Sequence, residues 1–77
     1  MSPEASTKIR TAVTYAFAEV SVSRAGAVRD AMIDALDSQL ITLALRINQG
    51  NRLQAARLLG LNRNTLLKRI RQLGVVG

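Results

Sequence analysis

The stretch from Gly50 to Gly77, GNRLQAARLLGLNRNTLLKRIRQLGVVG, decides the fold, because it carries six basic side chains and no acidic one. At helical period it divides into two short amphipathic helices joined at Gly60. The first, about Arg52 to Leu59, is expected to bury Ala55, Ala56 and Leu59, with Leu58 a further candidate. The second, about Arg63 to Gln72, turns Leu66 and Ile70 inward at an i,i+4 spacing. Asn51 and Asn62 stand where N-caps belong, and Gly74 stops the second helix. A methyl-sized Ala56 lets the helices cross closely, Gly60 allows a positive φ in the tight turn, and Leu66 faces back into the crossing. Leu61 is expected to enter the core. This is the construction of a helix-turn-helix.

On the outer side of the last helix, Arg63, Asn64, Lys68 and Arg71 point away from Leu66 and Ile70. Arg63 lies in the first turn, the part that enters a major groove in this geometry, and its fork can engage guanine O6 and N7 together. Lys68 reaches a base or a phosphate, and Thr65 offers a hydroxyl to a phosphate or a contact to thymine. Arg69 and Arg71 suit phosphates, as do Asn51 and Arg52 at the start of the preceding helix. Asn62 serves either as a cap or as a base reader. Any single arginine can be plain surface, and Arg57 can face acids of the scaffold. The cluster without intervening acids carries the argument.

Working outward, the preceding residues read as a helical scaffold. Ser2 caps a first helix with Pro3 at its first position and Glu4 in its first turn. Ile9, Val13, Ala16/Phe17 and Val20 form its apolar face. Val20-Ser21-Val22-Ser23 breaks the pattern and reads as a connection, with Ser23 capping the next helix. That helix, about Arg24 to Asn48, carries one stripe of Val28, Met32, Leu36, Leu40, Leu43 and Ile47 and a second of Ile33, Ile41 and Leu45. Two apolar stripes suit a symmetric dimer built around Ile9, Val13, Phe17, Val28, Met32, Ile33, Leu36 and Leu40. The alternative places the second stripe against the terminal helix pair. Gly50 is expected as the left-handed cap that ends the long helix.

With 77 residues the chain makes one domain at most, marginal as a monomer without further burial. Residues 1–49 read as dimerisation helices and residues 50–77 as the helix-turn-helix unit. Scarce aromatics and a lone Pro3 favour an all-α class of four helices. Residues 1–45 hold four basic and five acidic side chains, a net of −1, whereas residues 46–77 hold seven basic and none acidic. That division points to a polyanion as partner. Without His or Cys there is no conventional zinc site, no disulfide and no nucleophile–base–orienter set. No enzyme activity, cofactor or small-molecule substrate is therefore expected. No run spans a bilayer and no signal-peptide core is present, so a soluble, cytoplasmic protein at the nucleoid is expected.

The run GNRLQAARLLGLNRNTLLKRIRQLG resembles the DNA-binding end of the Fis family (factor for inversion stimulation), a module that also closes the NtrC-type activators. The family form G-N-x-x-x-A-A-x-x-L/M-G-I/L-N-R-x-T-L-x-K-x-L-x-x-x-G is matched from Gly50 through Gly74. A weaker likeness runs back through Leu36-Asp37-Ser38-Gln39-Leu40. The resemblance implies a homodimer with intertwined first and second helices, bending the duplex to reach two major grooves. It makes Arg63 the principal base contact, assisted by Asn62, Thr65 and Lys68, with Asn51, Arg69 and Arg71 on the backbone. Leu67 stands where members commonly carry a basic residue, which removes one expected DNA contact. The first helix begins too close to Met1 for the Fis β-hairpin arm, so recombination stimulation is not expected.

The leading expectation is thus sequence-preferring binding and bending of double-stranded DNA, by a regulatory or nucleoid-associated protein or by an activator's terminal domain. RNA polymerase or an activator's upstream domains are further candidate partners. The alternative is a helical protein–protein interaction module. RNA is disfavoured because no aromatic stacking platform exists.

Overall fold

A computed structural model describes residues 1–76, and all regular structure among them is helical: α1 (Pro3–Ser23), α2 (Val28–Ile47), α3 (Arg52–Leu59) and α4 (Arg63–Leu73). None of these helices is long and apolar enough to cross a membrane. The chain divides within α2 into two compact units, residues 1–32 and residue 33 onward.

In the first unit, Ser2 caps α1 by accepting a hydrogen bond from the Ala5 N–H at 3.1 Å, with Pro3 and Glu4 in the opening turn as expected. The helix runs three residues further than the sequence pattern indicated. Val20–Ser23 is helical, because the Ser21 and Ser23 hydroxyls donate to the carbonyls of Ala18 and Glu19 and so remain inside the helix they were expected to break. The connection lies instead around Gly26, whose φ of +90° is open to glycine at little cost. As a result α2 begins at Val28 rather than near Arg24. No residue of α1 is buried, and Ile9, Val13 and Phe17 remain exposed; Val28 and Met32 are half-buried.

In the second unit, the end of α2 closes over the helix pair. Ile41, Ala44 and Leu45 of α2, Ala55 and Ala56 of α3, and Leu66 and Ile70 of α4 form one buried cluster, flanked by Leu59, Leu73 and Val75. At about 100° per residue, Asp34, Asp37, Ile41, Ala44, Leu45 and Asn48 share this side of α2. The two stripes of α2 therefore part company. Ile41 and Leu45 pack on the terminal pair, the alternative weighed above, and Ile33 is half-buried. Leu36, Leu40, Leu43 and Ile47 stay exposed at a four-three-four spacing.

The caps explain where the helices stop. At the end of α2 the Gly50 N–H donates to the Leu45 carbonyl at 2.8 Å and the Gln49 N–H to that of Arg46 at 3.3 Å. This double bond pattern puts Gln49, not Gly50, at the first left-handed position, with φ +53° against +81° for Gly50. A side chain in that region costs about 1–2 kcal/mol relative to right-handed geometry. We expect Gln49→Gly to stabilise the unit by roughly 0.5–1 kcal/mol once the freer unfolded chain is counted. Urea unfolding followed by circular dichroism checks this, and an unchanged or lower midpoint would contradict it.

Candidate nucleic-acid interface

The turn between α3 and α4 is held by hydrogen bonds at every step. Asn51 caps α3 by accepting from the Gln54 N–H at 3.1 Å, and Asn62 caps α4 by accepting from the Asn64 N–H at 2.8 Å. Between them the Leu61 N–H returns to the Ala56 carbonyl at 2.9 Å while Gly60 sits at φ +77°. A Cβ at Gly60 would meet nothing within 4 Å, so dihedral angle rather than crowding reserves the position for glycine. Leu61 does not enter the core as expected: it follows the left-handed turn, which carries its side chain out to 36% exposure. Leu58 is also outside, at 59%. The close crossing is made by Ala55 and Ala56, 0% and 1% exposed, against Leu66 at 0%.

With Leu66 and Ile70 buried, helical phase sends Asn64, Lys68 and Arg71 to the opposite side of α4, and all three are exposed. Arg63, Asn64 and Thr65 stand exposed in the first turn. Leu67 is half-buried on the flank between Arg63 and Arg71, one turn from each. Asn51 and Arg52 are exposed at the start of α3. The Oδ1 atoms of Asn51 and Asn62 accept the cap bonds, which leaves their amide nitrogens as donors. These exposed cationic and amide groups stand at two helix N-termini and on the outer side of α4.

Arg69 stands apart from this set. It was expected on the duplex backbone, yet its guanidinium turns to the flank of α4 that meets α2. Its Nη2 lies 3.0 Å from Asp34 Oδ1 and 2.9 Å from Asp37 Oδ2. Its Nε donates to Asp37 Oδ2 at 3.0 Å and its Nη1 to Gln72 Oε1 at 3.2 Å. Hydrogen bonding to Asp34 first, then to Asp37, raises the Arg69 pKa above its ordinary value. An arginine is in any case charged from acid to mildly alkaline pH, so Arg69 is a permanent cation in this bridge. Asp34 and Asp37 are the only acidic side chains from residue 33 onward, and both are held by Arg69 on the flank of α4 rather than among Asn64, Lys68 and Arg71. Sequence reasoning missed this pair, although the 34–37–41–45 spacing had placed two acids on the stripe that α4 covers.

A sequence profile described as "Bacterial regulatory protein, Fis family" matches residues 32–73, more than half of the chain. The chain belongs to the Fis family of bacterial regulatory proteins. This Fis-family chain is 52% identical over 46 residues to the DNA-binding transcriptional regulator NtrC of Rhizobium meliloti (strain 1021), covering 60% of the chain and 10% of that protein. Against the NtrC regulator of Azospirillum brasilense the identity is 48% over 46 residues, with the same shares. Against that of Bradyrhizobium sp. (strain RP501 Parasponia) it is 52% over 40 residues, 52% of the chain and 8% of the relative. The chain therefore corresponds to about a tenth of the length of these regulators. No solved structure matches it with significance.

Proposed function

We propose that this chain binds and bends double-stranded DNA as a homodimer, with modest sequence preference, in transcription regulation or nucleoid architecture. The single observation that carries the reading is the outer side of α4, where Asn64, Lys68 and Arg71 stand exposed opposite buried Leu66 and Ile70. No acid interrupts α3, α4 or their connection. Relatives titled as DNA-binding regulators support the same reading over the matched segment. Arg63 reads a guanine edge, with Asn62, Asn64, Thr65 and Lys68 beside it in the groove. Asn51, Arg52 and Arg71 hold phosphates, helped by the N–H groups at the two helix starts.

Dimerisation rests on the apolar surface that one chain leaves uncovered. Leu36, Leu40, Leu43 and Ile47 on α2, and Ile9, Val13 and Phe17 on α1, are exposed. Spacings of three and four residues suit a helix seam with a second copy, in which Val28, Met32 and Ile33 complete the core. Bending follows from the resemblance to Fis. RNA polymerase, or upstream domains of a longer activator, are the protein partners such a module would serve.

Light scattering and gel shifts on circularly permuted duplex fragments test the reading together. The expected result is a dimer mass, with complexes whose mobility varies with site position. No shift at low salt would overturn it in favour of a protein-interaction module, and a monomer mass would overturn the homodimer. Within the complex, Arg71→Ala should weaken binding to every sequence alike. It should also reduce the slope of log affinity against log salt by about 0.9, the share of one phosphate. An unchanged slope removes Arg71 from the backbone contacts.

A further inference from the structure

The contact between α2 and α4 changes character along its length. One part is apolar, where Ile41, Ala44 and Leu45 join Leu66 and Ile70 in the cluster they share with Ala55 and Ala56. Beyond this the same side of α2 presents Asp34 and Asp37, one turn apart, and Arg69 bridges both while also bonding Gln72 on its own helix. Apolar packing tolerates small rotations of a helix about its axis, whereas a planar guanidinium with every nitrogen engaged has directional demands. The Arg69 side chain is 23% exposed, against 57% for Asp34 and 36% for Asp37, so the bridge is covered at the guanidinium and open to water at the carboxylates. One guanidinium between two carboxylates also leaves a local excess of negative charge, a poor place for a phosphate.

We infer that Arg69 is a positioning residue for duplex recognition: clamped by Asp34 and Asp37, it fixes the rotation of α4 so that Asn64, Lys68 and Arg71 face the groove together. The inference rests on the DNA-binding reading above. Two acids in a DNA-binding unit then have a role that their charge alone would oppose. Removing them weakens recognition, although it makes the unit more cationic.

The test compares the intact chain with Arg69→Ala, Arg69→Lys, the pair Asp34→Asn/Asp37→Asn, and the triple variant Arg69→Ala/Asp34→Asn/Asp37→Asn. Fluorescence anisotropy would follow binding to a duplex enriched by the intact chain from a random library, and to a random-sequence duplex, across a salt series. Arg69→Ala should weaken the enriched site on the order of tenfold more than the random duplex, with an unchanged salt slope. Asp34→Asn/Asp37→Asn should reproduce that loss, and the triple variant should add nothing further. Arg69→Lys, which keeps the charge without the fork, should recover only part of the discrimination. Circular dichroism melts report folding of each variant, and the near-isosteric double Asn variant carries the test if Arg69→Ala unfolds. Three results overturn the inference: a salt slope reduced by about 0.9 in Arg69→Ala, equal losses on both duplexes, or tighter binding by the double Asn variant. Failure of the intact chain to bind either duplex at low salt would instead overturn the DNA-binding reading, and this inference with it.

Discussion

Leu66→Ala is expected to destabilise the helix pair by about 2–5 kcal/mol, the range for emptying a buried leucine site. Leu66 is fully buried where α3 and α4 cross, between alanines too small to fill the space it would vacate. For a domain of this size, each kcal/mol lowers the melting temperature by about 4–8 °C. A fall of roughly 10 °C or more should therefore follow, and it should carry away binding to preferred and random DNA together. A melt within a few degrees of the parent chain would mean that the crossing is not the seat of the core. Leu58→Ala is the matching control, because that leucine is mostly exposed and outside the cluster.

Arg63→Ala should act on discrimination. A bidentate arginine–guanine contact contributes about 1–3 kcal/mol of preference, or roughly 5- to 150-fold. The variant should lose about that much on a preferred site and much less on a random duplex at the same salt. Its fold should hold, since Arg63 is exposed in the first turn of α4 and belongs to no buried cluster. Equal losses on both duplexes would assign Arg63 to the phosphates. Losing Arg63 and losing Arg71 are thus separable, one through the sequence ratio and the other through the salt slope.

Much of the fold was legible because its decisive signals are local. Caps at Ser2, Asn51 and Asn62, and the left-handed glycines at 60 and 74, depend on a few neighbouring residues and were read correctly. The inward pairing of Leu66 and Ile70 followed from helical period alone. Errors arose where a local preference has two outcomes. Serines 21 and 23 could leave the helix or bond back to it, and they bond back. Leu61 is apolar, but the geometry of the turn ahead of it decided its direction. The Arg69 clamp joins residues 32 and 35 positions apart. The phase of Asp34 and Asp37 on the stripe of Ile41 and Leu45 went unread, and which cation would meet them was set by the packing of α4. On the outer side of α4, phase sufficed for Asn64, Lys68 and Arg71, whose exposure agrees with their expected direction.

From residue 33 onward α2 carries two unlike surfaces: leucines open to solvent, and a mixed stripe whose apolar and acidic parts meet α4. No hinge residue separates them, since both are drawn from consecutive turns of one rod. An insertion of two residues between Leu36 and Ile41 would break both at once, turning the part of each surface before it through more than half a revolution against the part after it, at about 100° for each residue added. Lengthening the rod without scrambling its bearings takes whole turns, so evolution or an engineer can adjust reach here only in coarse steps.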